Sequence, residues 1–320
     1  MKKNLLLFVA IVLILSAISS VVPLLYLETR WQIDWENVPV DISTSNAKFR
    51  CMTVAENGDL WAGNDNGVVH ISGQTWETYA SRILHHIRDI EVAPDGQVWV
   101  ITEKNDVLRF DGQSWERMPG TTVLNDIAIT PDGTVWGATS NGLVEFDGKI
   151  WQPSTFDITD PDKNTNICAV ASAPDGSLWA GGCSADFILF NIENDQVRKT
   201  DPTEGIGFIT RISANALNQI WLYSMGVKSG INTAGYYEND QWHLASPSHL
   251  NRPGIGIDSV YDLSADDQGI AWIAKPNGLC RYNGYVCINY LKGESIYSVA
   301  TAPDGSIWLG LENEIVQLSQ

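Results

Sequence analysis

Basic residues are scarce in this chain of 320 residues. Lysine and arginine together number 20, against 38 aspartates and glutamates, and the formal net charge at pH 7 is −18. An electrostatic field of that sign repels phosphate backbones, so we expect no nucleic-acid partner. A net negative charge of this size otherwise indicates solubility rather than a particular function.

The familiar motifs of catalysis and metal binding are also missing. The sequence contains no Gly-x-Ser-x-Gly, His-Glu-x-x-His, Walker-type or dinucleotide-binding glycine pattern, and no Cys-x-x-Cys spacing. We therefore assign no catalytic residue, metal ligand or cofactor, and a function other than catalysis is favoured.

One long run lacks charge altogether, from Leu5 to Leu27. At 1.5 Å per residue it would span roughly 35 Å as a helix, enough for a bilayer core of about 30 Å. Two lysines precede it, which places the following residues outside the cytoplasm. We predict that residues 1–30 are an uncleaved signal-anchor with one transmembrane helix, and that the rest is periplasmic or extracellular. A signal peptide cleaved near Ala17-Ile-Ser19 is the alternative.

What the sequence has in abundance is tryptophan, and seven of the 13 mark a repeat. They follow Pro-Asp-Gly or a relaxed form of it, at spacings of 36 to 51 residues. The position nine residues earlier is apolar in every copy. The seven are Trp61, Trp99, Trp136, Trp179, Trp221, Trp272 and Trp308.

The copy at 125–151 shows what one repeat unit contains. Four short apolar runs are separated by Pro-Asp-Gly, Ser-Asn-Gly and Asp-Gly, which are strong turn signals. Repeats of about 40 residues with four strands each are typical of a β-propeller. We predict an all-β fold over 31–320, a seven-bladed β-propeller of four-stranded antiparallel blades. The seventh copy lacks a fourth strand, and residues 31–38 repeat the Trp-Glu of other outer strands, so we expect them to close the last blade.

The motifs at 132–148, Asp-Gly-x-Val-Trp and Asn-Gly-Leu-x-x-Phe-Asp-Gly, resemble the two-component-regulator propeller repeat. That resemblance implies an extracytoplasmic sensing or binding propeller, although no kinase or DNA-binding segment follows the repeats. Ala-Pro-Asp-Gly-Gln-Val-Trp at 93–99 is also similar to virginiamycin B lyase-type propellers, and the Trp-rich outer strands are similar to tectonin repeats, which bind surface glycans.

Five cysteines are present, and an exported chain permits disulfides. Cys280 and Cys287 lie symmetrically about an Asn-Gly pair, so a two-residue hairpin would place them directly opposite each other. Cys168 and Cys183 are centred on an Asp-Gly turn and are expected on the first two strands of blade 4. We predict both bridges, with buried free thiols as the alternative. Cys51 is left over as a buried thiol.

Insertions indicate where function lies. The turns at Pro-Asp-Gly and Phe-Asp-Gly share one face of the propeller and stay tight. On the other face, the repeat is lengthened at 152–166, 198–208, 224–235 and 243–259. A cationic and aromatic group accompanies these insertions, and we predict that it forms one site for a small anionic or sugar ligand. Its members are Arg211, Tyr223, Lys228, His243, His249 and Arg252.

The favoured function is thus a membrane-anchored binding propeller, sensor- or scaffold-like, whose partner is a ligand or a membrane signalling protein. Two alternatives stay open: a lyase- or hydrolase-type enzyme and a surface glycan binder. Histidine and carboxylate groups converging at the channel mouth would favour the enzyme. A flat aromatic groove would favour the glycan binder.

Overall fold

The computed structural model describes residues 34–38, 47–120, 123–156, 158, 166–183, 189–194, 196–200, 207–225, 232–244 and 259–319. These residues form seven antiparallel sheets of four strands, which are the seven blades of a β-propeller. No helix among them is long and apolar enough to cross a bilayer. The anchor predicted at 5–27 lies outside the described residues.

Blades 1 to 6 each contain four consecutive strands. Blade 1 has β2 Cys51–Val54, β3 Leu60–Gly63, β4 Val68–Ser72 and β5 Thr75–Tyr79; blade 2 has β6 Ile87–Val92, β7 Val98–Thr102, β8 Val107–Phe110 and β9 Trp115–Arg117; blade 3 has β10 Leu124–Ile129, β11 Val135–Thr139, β12 Gly142–Phe146 and β13 Trp151–Pro153. Blade 4 has β14 Ile167–Ser172, β15 Leu178–Gly182, β16 Leu189–Glu193 and β17 Gln196–Thr200; blade 5 has β18 Phe208–Ala214, β19 Ile220–Met225, β20 Thr233–Glu238 and β21 Gln241–Leu244; blade 6 has β22 Asp262–Ala265, β23 Ala271–Lys275, β24 Gly278–Tyr282 and β25 Cys287–Tyr290.

The seventh blade joins the two ends of the propeller. Its strands are β26 Ser298–Thr301, β27 Ile307–Gly310, β28 Ile315–Ser319 and β1 Asp34–Val38. β1 is the outer strand and pairs antiparallel with β28, within the segment 31–38 to which the sequence assigned this role. An edge that would otherwise be open to other chains is thereby paired.

The Pro-Asp-Gly motif forms the turn between the first and second strands of its blade. In blade 3 the backbone N–H of Thr134 donates to Asp132 Oδ1 at 3.0 Å, and Gly133 adopts a φ of +87°. The same aspartate-to-amide bond recurs in blades 2, 4 and 7. These aspartates are therefore turn residues, as predicted, and the glycine supplies the left-handed conformation that the turn requires.

Because the four strands of a blade alternate in direction, its connections alternate between two faces. Turns between strands one and two, and between three and four, share one face, which we call the turn face. Connections between strands two and three, and between blades, share the other, which we call the loop face. All four predicted insertions fall on the loop face by this topology, although much of each lies outside the described residues.

The hydrophobic core lies between adjacent blades rather than within one blade. Trp61 and Val68 of blade 1 pack with Ile90 and Val100 of blade 2 in one of seven such clusters among the described residues. All seven repeat tryptophans lie on second strands and are at most 8% exposed. Each therefore anchors its blade against a neighbour, and the ring as a whole forms one cooperative core.

Both predicted disulfides are present, and Cys51 is a buried free thiol. The predicted register of one bridge was wrong. Cys287 lies opposite Tyr282, and Cys280 lies opposite Asn289, so the two cysteines are diagonal neighbours with Cα atoms 5.6 Å apart. The reason is the turn. The N–H of Asn283 donates to the carbonyl of Val286, so four residues rather than two connect the strands.

Candidate functional site

The first strands of the seven blades line a central channel with a cavity of about 430 Å³. Its wall is polar, which is unusual for the middle of a fold. The charged residues of the lining are Arg50, Arg88, Arg211, Asp89, Glu91, Asp126 and Asp262. Arg50 and Arg88 lie near the starts of their strands, which places them toward the loop face, whereas Arg211 is the central residue of β18.

Three of the carboxylates bond adjacent blades together. Asp89 accepts the backbone N–H of Ile127 in the next blade at 3.1 Å. Asp126 accepts that of Val170 at 2.8 Å, and Asp262 accepts that of Val299 at 3.0 Å. These aspartates recur ten residues before the blade tryptophan, and the amides they accept belong to the neighbouring inner strands, so their role is structural. Each bond leaves less of the carboxylate available to a ligand.

The arginines are held by carbonyl and carboxylate oxygens. Arg88 donates to the carbonyls of Leu124 and Asn125 at 2.5 and 3.2 Å, and its Nε is buried without a hydrogen-bond partner. Arg211 donates from Nε to the carbonyl of Tyr261 at 3.1 Å, and the same Nε lies 3.6 Å from Asp262. Its Nη1 donates to the carbonyl of Thr210 at 2.7 Å. Groups of blades 5 and 6 thus hold the guanidinium of Arg211 at the rim, where its side chain is 47% exposed.

Burial shifts the protonation of the channel carboxyl groups. It raises the pKa of Glu91 to about 8, and the nearby charges of Asp89 and Asp262 add to the rise. Burial also raises the pKa of Asp126 well above its ordinary range, helped by the charge of Asp89 and by a hydrogen bond to it. The pKa of Asp262 rises to about 6 by burial, against the opposing effect of Arg211. At pH 7 Glu91 is therefore largely neutral, so the three arginines face fewer ionised carboxylates than the sequence suggests.

Aromatic side chains flank one side of the rim. The rings of Tyr261 and Tyr297 stack with centroids 5.5 Å apart and an interplanar angle of 16°. Lys48 lies over Tyr297, with its Nζ 5.0 Å from the ring centroid. Tyr261 is 38% exposed. The backbone carbonyl of the same residue accepts the hydrogen bond from Arg211 Nε.

The structure describes three of the six residues predicted to form one site, and these three lie in different environments. Arg211 lines the channel. Tyr223, on β19, is 1% exposed and belongs to the core between blades 5 and 6, so packing occupies its ring. His243 lies on the outer strand β21 and stacks on Tyr236 with centroids 4.5 Å apart. Strands β18 and β21 are opposite edges of the blade, about 14 Å apart at ~4.8 Å per strand, so Arg211 and His243 are not brought together.

The other three predicted site residues, Lys228, His249 and Arg252, lie outside the described residues. Sequence reasoning missed Arg88 and Glu91 in the channel and Tyr261 at its rim. The signal that could have found Arg88 and Tyr261 is their shared place in the repeat, eleven residues before the blade tryptophan. None of the described histidines lines the channel, and the described residues contain no group of three or more His, Cys, Asp or Glu placed to hold a metal.

A second cavity lies outside the channel, between the outer strands of blades 1 and 2. Its volume is about 600 Å³, and it is lined by Tyr79, Arg82, Gln113 and Trp115, among others. Tyr79 and Trp115 approach edge to face, with centroids 6.1 Å apart. The indole N–H of Trp115 is buried without a hydrogen-bond partner. We call this cavity the outer groove.

The profile of the Tectonin domain matches residues 32–160, which is less than half of the chain. No curated protein matches this chain by sequence. The fold is similar to that of a streptogramin B lyase, with a TM-score of 0.71 at 14% identity over 90% of this chain and 98% of the other. It is also similar to virginiamycin B lyase from Staphylococcus aureus, with a TM-score of 0.67 at 15% identity over 91% and 99% of the two chains.

A third similar structure is the extracellular domain of a hybrid two component system from B. thetaiotaomicron, with a TM-score of 0.66 at 15% identity. That match covers 89% of this chain and only 41% of the other. Identities this low establish the fold, a propeller shared by extracellular sensor domains and lyase-type enzymes. They do not establish which activity this chain has.

Proposed function

We propose that this protein is a membrane-anchored, extracytoplasmic propeller that binds a small anionic or sugar ligand at the loop-face end of its channel. In this role it acts as a sensor or scaffold and passes the bound state to a membrane signalling protein. The observation that carries the proposal is the rim of the channel, where the half-exposed guanidinium of Arg211 donates to the backbone carbonyl of Tyr261, a residue that is itself exposed.

The chemistry of these two groups defines the ligand. A guanidinium pairs with carboxylate or phosphate through strong charge-assisted hydrogen bonds, and a tyrosine ring packs on an apolar or sugar face. Arg211 is pre-organised, because carbonyl groups of two blades fix it before a ligand arrives. Rigid presentation of this kind reduces the entropy that binding must overcome.

Two features support the extracytoplasmic location. The uncharged run at 5–27 with its preceding lysines predicts an anchor whose following residues lie outside. The two disulfides are of a kind that persists in oxidising compartments and is rare in the cytosol.

Three hexose derivatives of different charge test the ligand class. We expect the full-length protein in detergent to bind glucuronate in preference to neutral glucose and cationic glucosamine, as measured by calorimetry. Replacing Arg211 with alanine removes a charged hydrogen bond of about 1.5–3 kcal/mol, so the affinity for glucuronate should fall by about 10- to 100-fold.

The matched control is Arg117→Ala, which removes an exposed arginine that pairs with Asp106 on the outer side of blade 2. It should leave glucuronate binding unchanged. Equal loss in both variants, or preferred binding of glucosamine, would contradict a guanidinium site at the rim.

The outer groove favours a second function, the binding of surface glycans. The groove is aromatic, and its residues 78–115 fall inside the segment that matches the Tectonin profile. On a glycan array, the double change Arg82→Ala and Gln113→Ala should abolish binding by this route, while Arg211→Ala should not affect it. The opposite pattern would assign recognition to the channel.

A further inference from the structure

The direction of β1 fixes the face by which the chain enters the propeller. Asp34 pairs with Ser319 and Val38 pairs with Ile315, so β1 runs antiparallel to β28. Ile315 follows the connection between β27 and β28, which lies on the loop face. Ser319 is therefore at the turn-face end of its strand. Asp34 lies beside it, so the chain arrives at β1 from the turn face.

The link between the uncharged run and β1 is short. Six residues, 28–33, separate Leu27 from Asp34. Even a fully extended chain of six residues reaches only about 20 Å. A strand of five residues adds about 17 Å between the two faces of the propeller. The tether thus holds the turn-face end of β1 within about 20 Å of the point where the run ends, and the loop-face end of β1 is a strand length farther along the chain.

From this geometry we propose that the turn face is the membrane-proximal face, and that the loop face with the channel mouth opens away from the bilayer. The inference rests on the proposed membrane anchoring. It assigns the two faces different surroundings: the loop face receives ligands from the surrounding medium, whereas the turn face lies opposite the lipid headgroups.

The charge of the turn face determines how close it comes to the lipid. Its tight turns carry six aspartates, each of which accepts backbone amides of its own turn. Negative groups are repelled by anionic lipid, so the face stands over the bilayer and does not insert. The six are Asp95, Asp111, Asp132, Asp147, Asp175 and Asp304.

Two variants of the full-length protein, each with one added cysteine, test the orientation. Ser114→Cys labels the turn between β8 and β9 on the turn face, and Lys104→Cys labels the turn between β7 and β8 on the loop face. Both positions are exposed and belong to blade 2. Without reductant the added thiol is the accessible one, because Cys51 is buried and the other four cysteines are bridged.

The labelled proteins are reconstituted in phosphatidylcholine vesicles that contain a headgroup-linked energy acceptor. We expect higher transfer efficiency from position 114 than from position 104, because the two labels differ by about 15 Å in height along the strand direction. A second pair in blade 3, Lys149→Cys and Asn141→Cys, should show the same order.

Transfer that is equal at the two positions, or higher from position 104, would overturn the orientation. Flotation of the unlabelled protein with the vesicles is measured separately. A protein that does not float would overturn the anchoring, and the orientation with it, whereas a protein that floats with the reverse order overturns the orientation alone.

Discussion

At the scale of single residues, the channel separates carboxyl groups by role. Asp89, Asp126 and Asp262 accept amides of the neighbouring blades, so they hold the ring together. Glu91 has a different environment: it is half-buried, within the field of Asp89 and Asp262, and it bonds to the side chain of Thr53. When a carboxyl group in such a place ionises, it destabilises the folded protein.

That destabilisation predicts that the free energy of unfolding depends on pH through Glu91. Its pKa is about 8 in the folded protein and about 4.3 in an unfolded chain. The folded state therefore binds more protons between these values, so the free energy of unfolding falls as pH rises from about 4 to 8. Glu91→Gln removes this term, and we expect its thermal midpoint to exceed that of the wild type by roughly 2–4 °C at pH 9.

At about pH 4 the two midpoints should agree closely, because Glu91 is then protonated in the folded protein and largely protonated in the unfolded chain, and so resembles glutamine. The control is Glu103→Gln, an exposed position, which should leave the pH profile of the midpoint unchanged. An offset for Glu91→Gln that is the same at about pH 4 and pH 9 would contradict a raised pKa.

At the scale of single elements, the hairpins of each blade use glycine for two different reasons. Gly58, in the turn between β2 and β3, has a φ of +88° and no atom near the position of an added Cβ. Gly67, between β3 and β4, has a φ of +155°, and a Cβ there would lie 2.1 Å from the carbonyl oxygen of Tyr79. In the second hairpin the glycine also makes room for the end of the outer strand.

This difference predicts unequal effects of the same substitution. Gly58→Ala introduces left-handed strain only, worth roughly 1–2 kcal/mol. Gly67→Ala adds a collision with backbone, so we expect a loss of more than about 3 kcal/mol in the free energy of unfolding. Urea denaturation of both variants measures the losses, and equal values would show that β5 can move away from the hairpin.

The sequence was sufficient to predict the blades because turn chemistry and apolar alternation agree in nearly every copy. It was not sufficient to predict the channel lining. Inner strands β6, β10, β14 and β18 each contain a register shift, after Ile87, Leu124, Ile167 and Ile209. An extra residue in a strand changes which side chains face the channel. No residue type in the sequence indicates where such a register shift occurs.

Two other differences have local causes. Tyr223 lies in the middle of β19, a second strand whose residues are buried on both faces. Its position in the strand therefore indicates a core residue and not a ligand contact. The Cys280–Cys287 register differed because a four-residue turn suits Asn283, whose side chain accepts the amides of Tyr285 and Val286. In the first case packing against a neighbouring blade decided the outcome, and in the second the hydrogen bonds of the turn itself did.

At the scale of the whole molecule, closure of the ring depends on contacts between residues far apart in the chain. Phe49 donates its amide to the carbonyl of Leu311, and Ser298 donates its hydroxyl to the carbonyl of Phe49 at 2.8 Å. β1 adds five residues of pairing to β28. A propeller closed in this way unfolds as a unit, since each blade is covered by two neighbours.

Removal of the closing strand should therefore weaken the entire ring. We expect a chain spanning residues 39–320 to melt several degrees below one spanning 31–320, or to aggregate, because the edge of β28 becomes open to other chains. Calorimetry and light scattering on the two chains measure both effects. Identical midpoints would show that β1 contributes nothing to closure.

The central claim is that the loop-face end of the channel is where this propeller binds its ligand. The most direct measurement is to soak crystals of the protein with a mixed library of small carboxylates and monosaccharides and to locate what binds. The account predicts a ligand at the channel rim, with its acidic group on Arg211 and its ring against Tyr261. Ligands found only in the outer groove, or only among the turns of the opposite face, would contradict it.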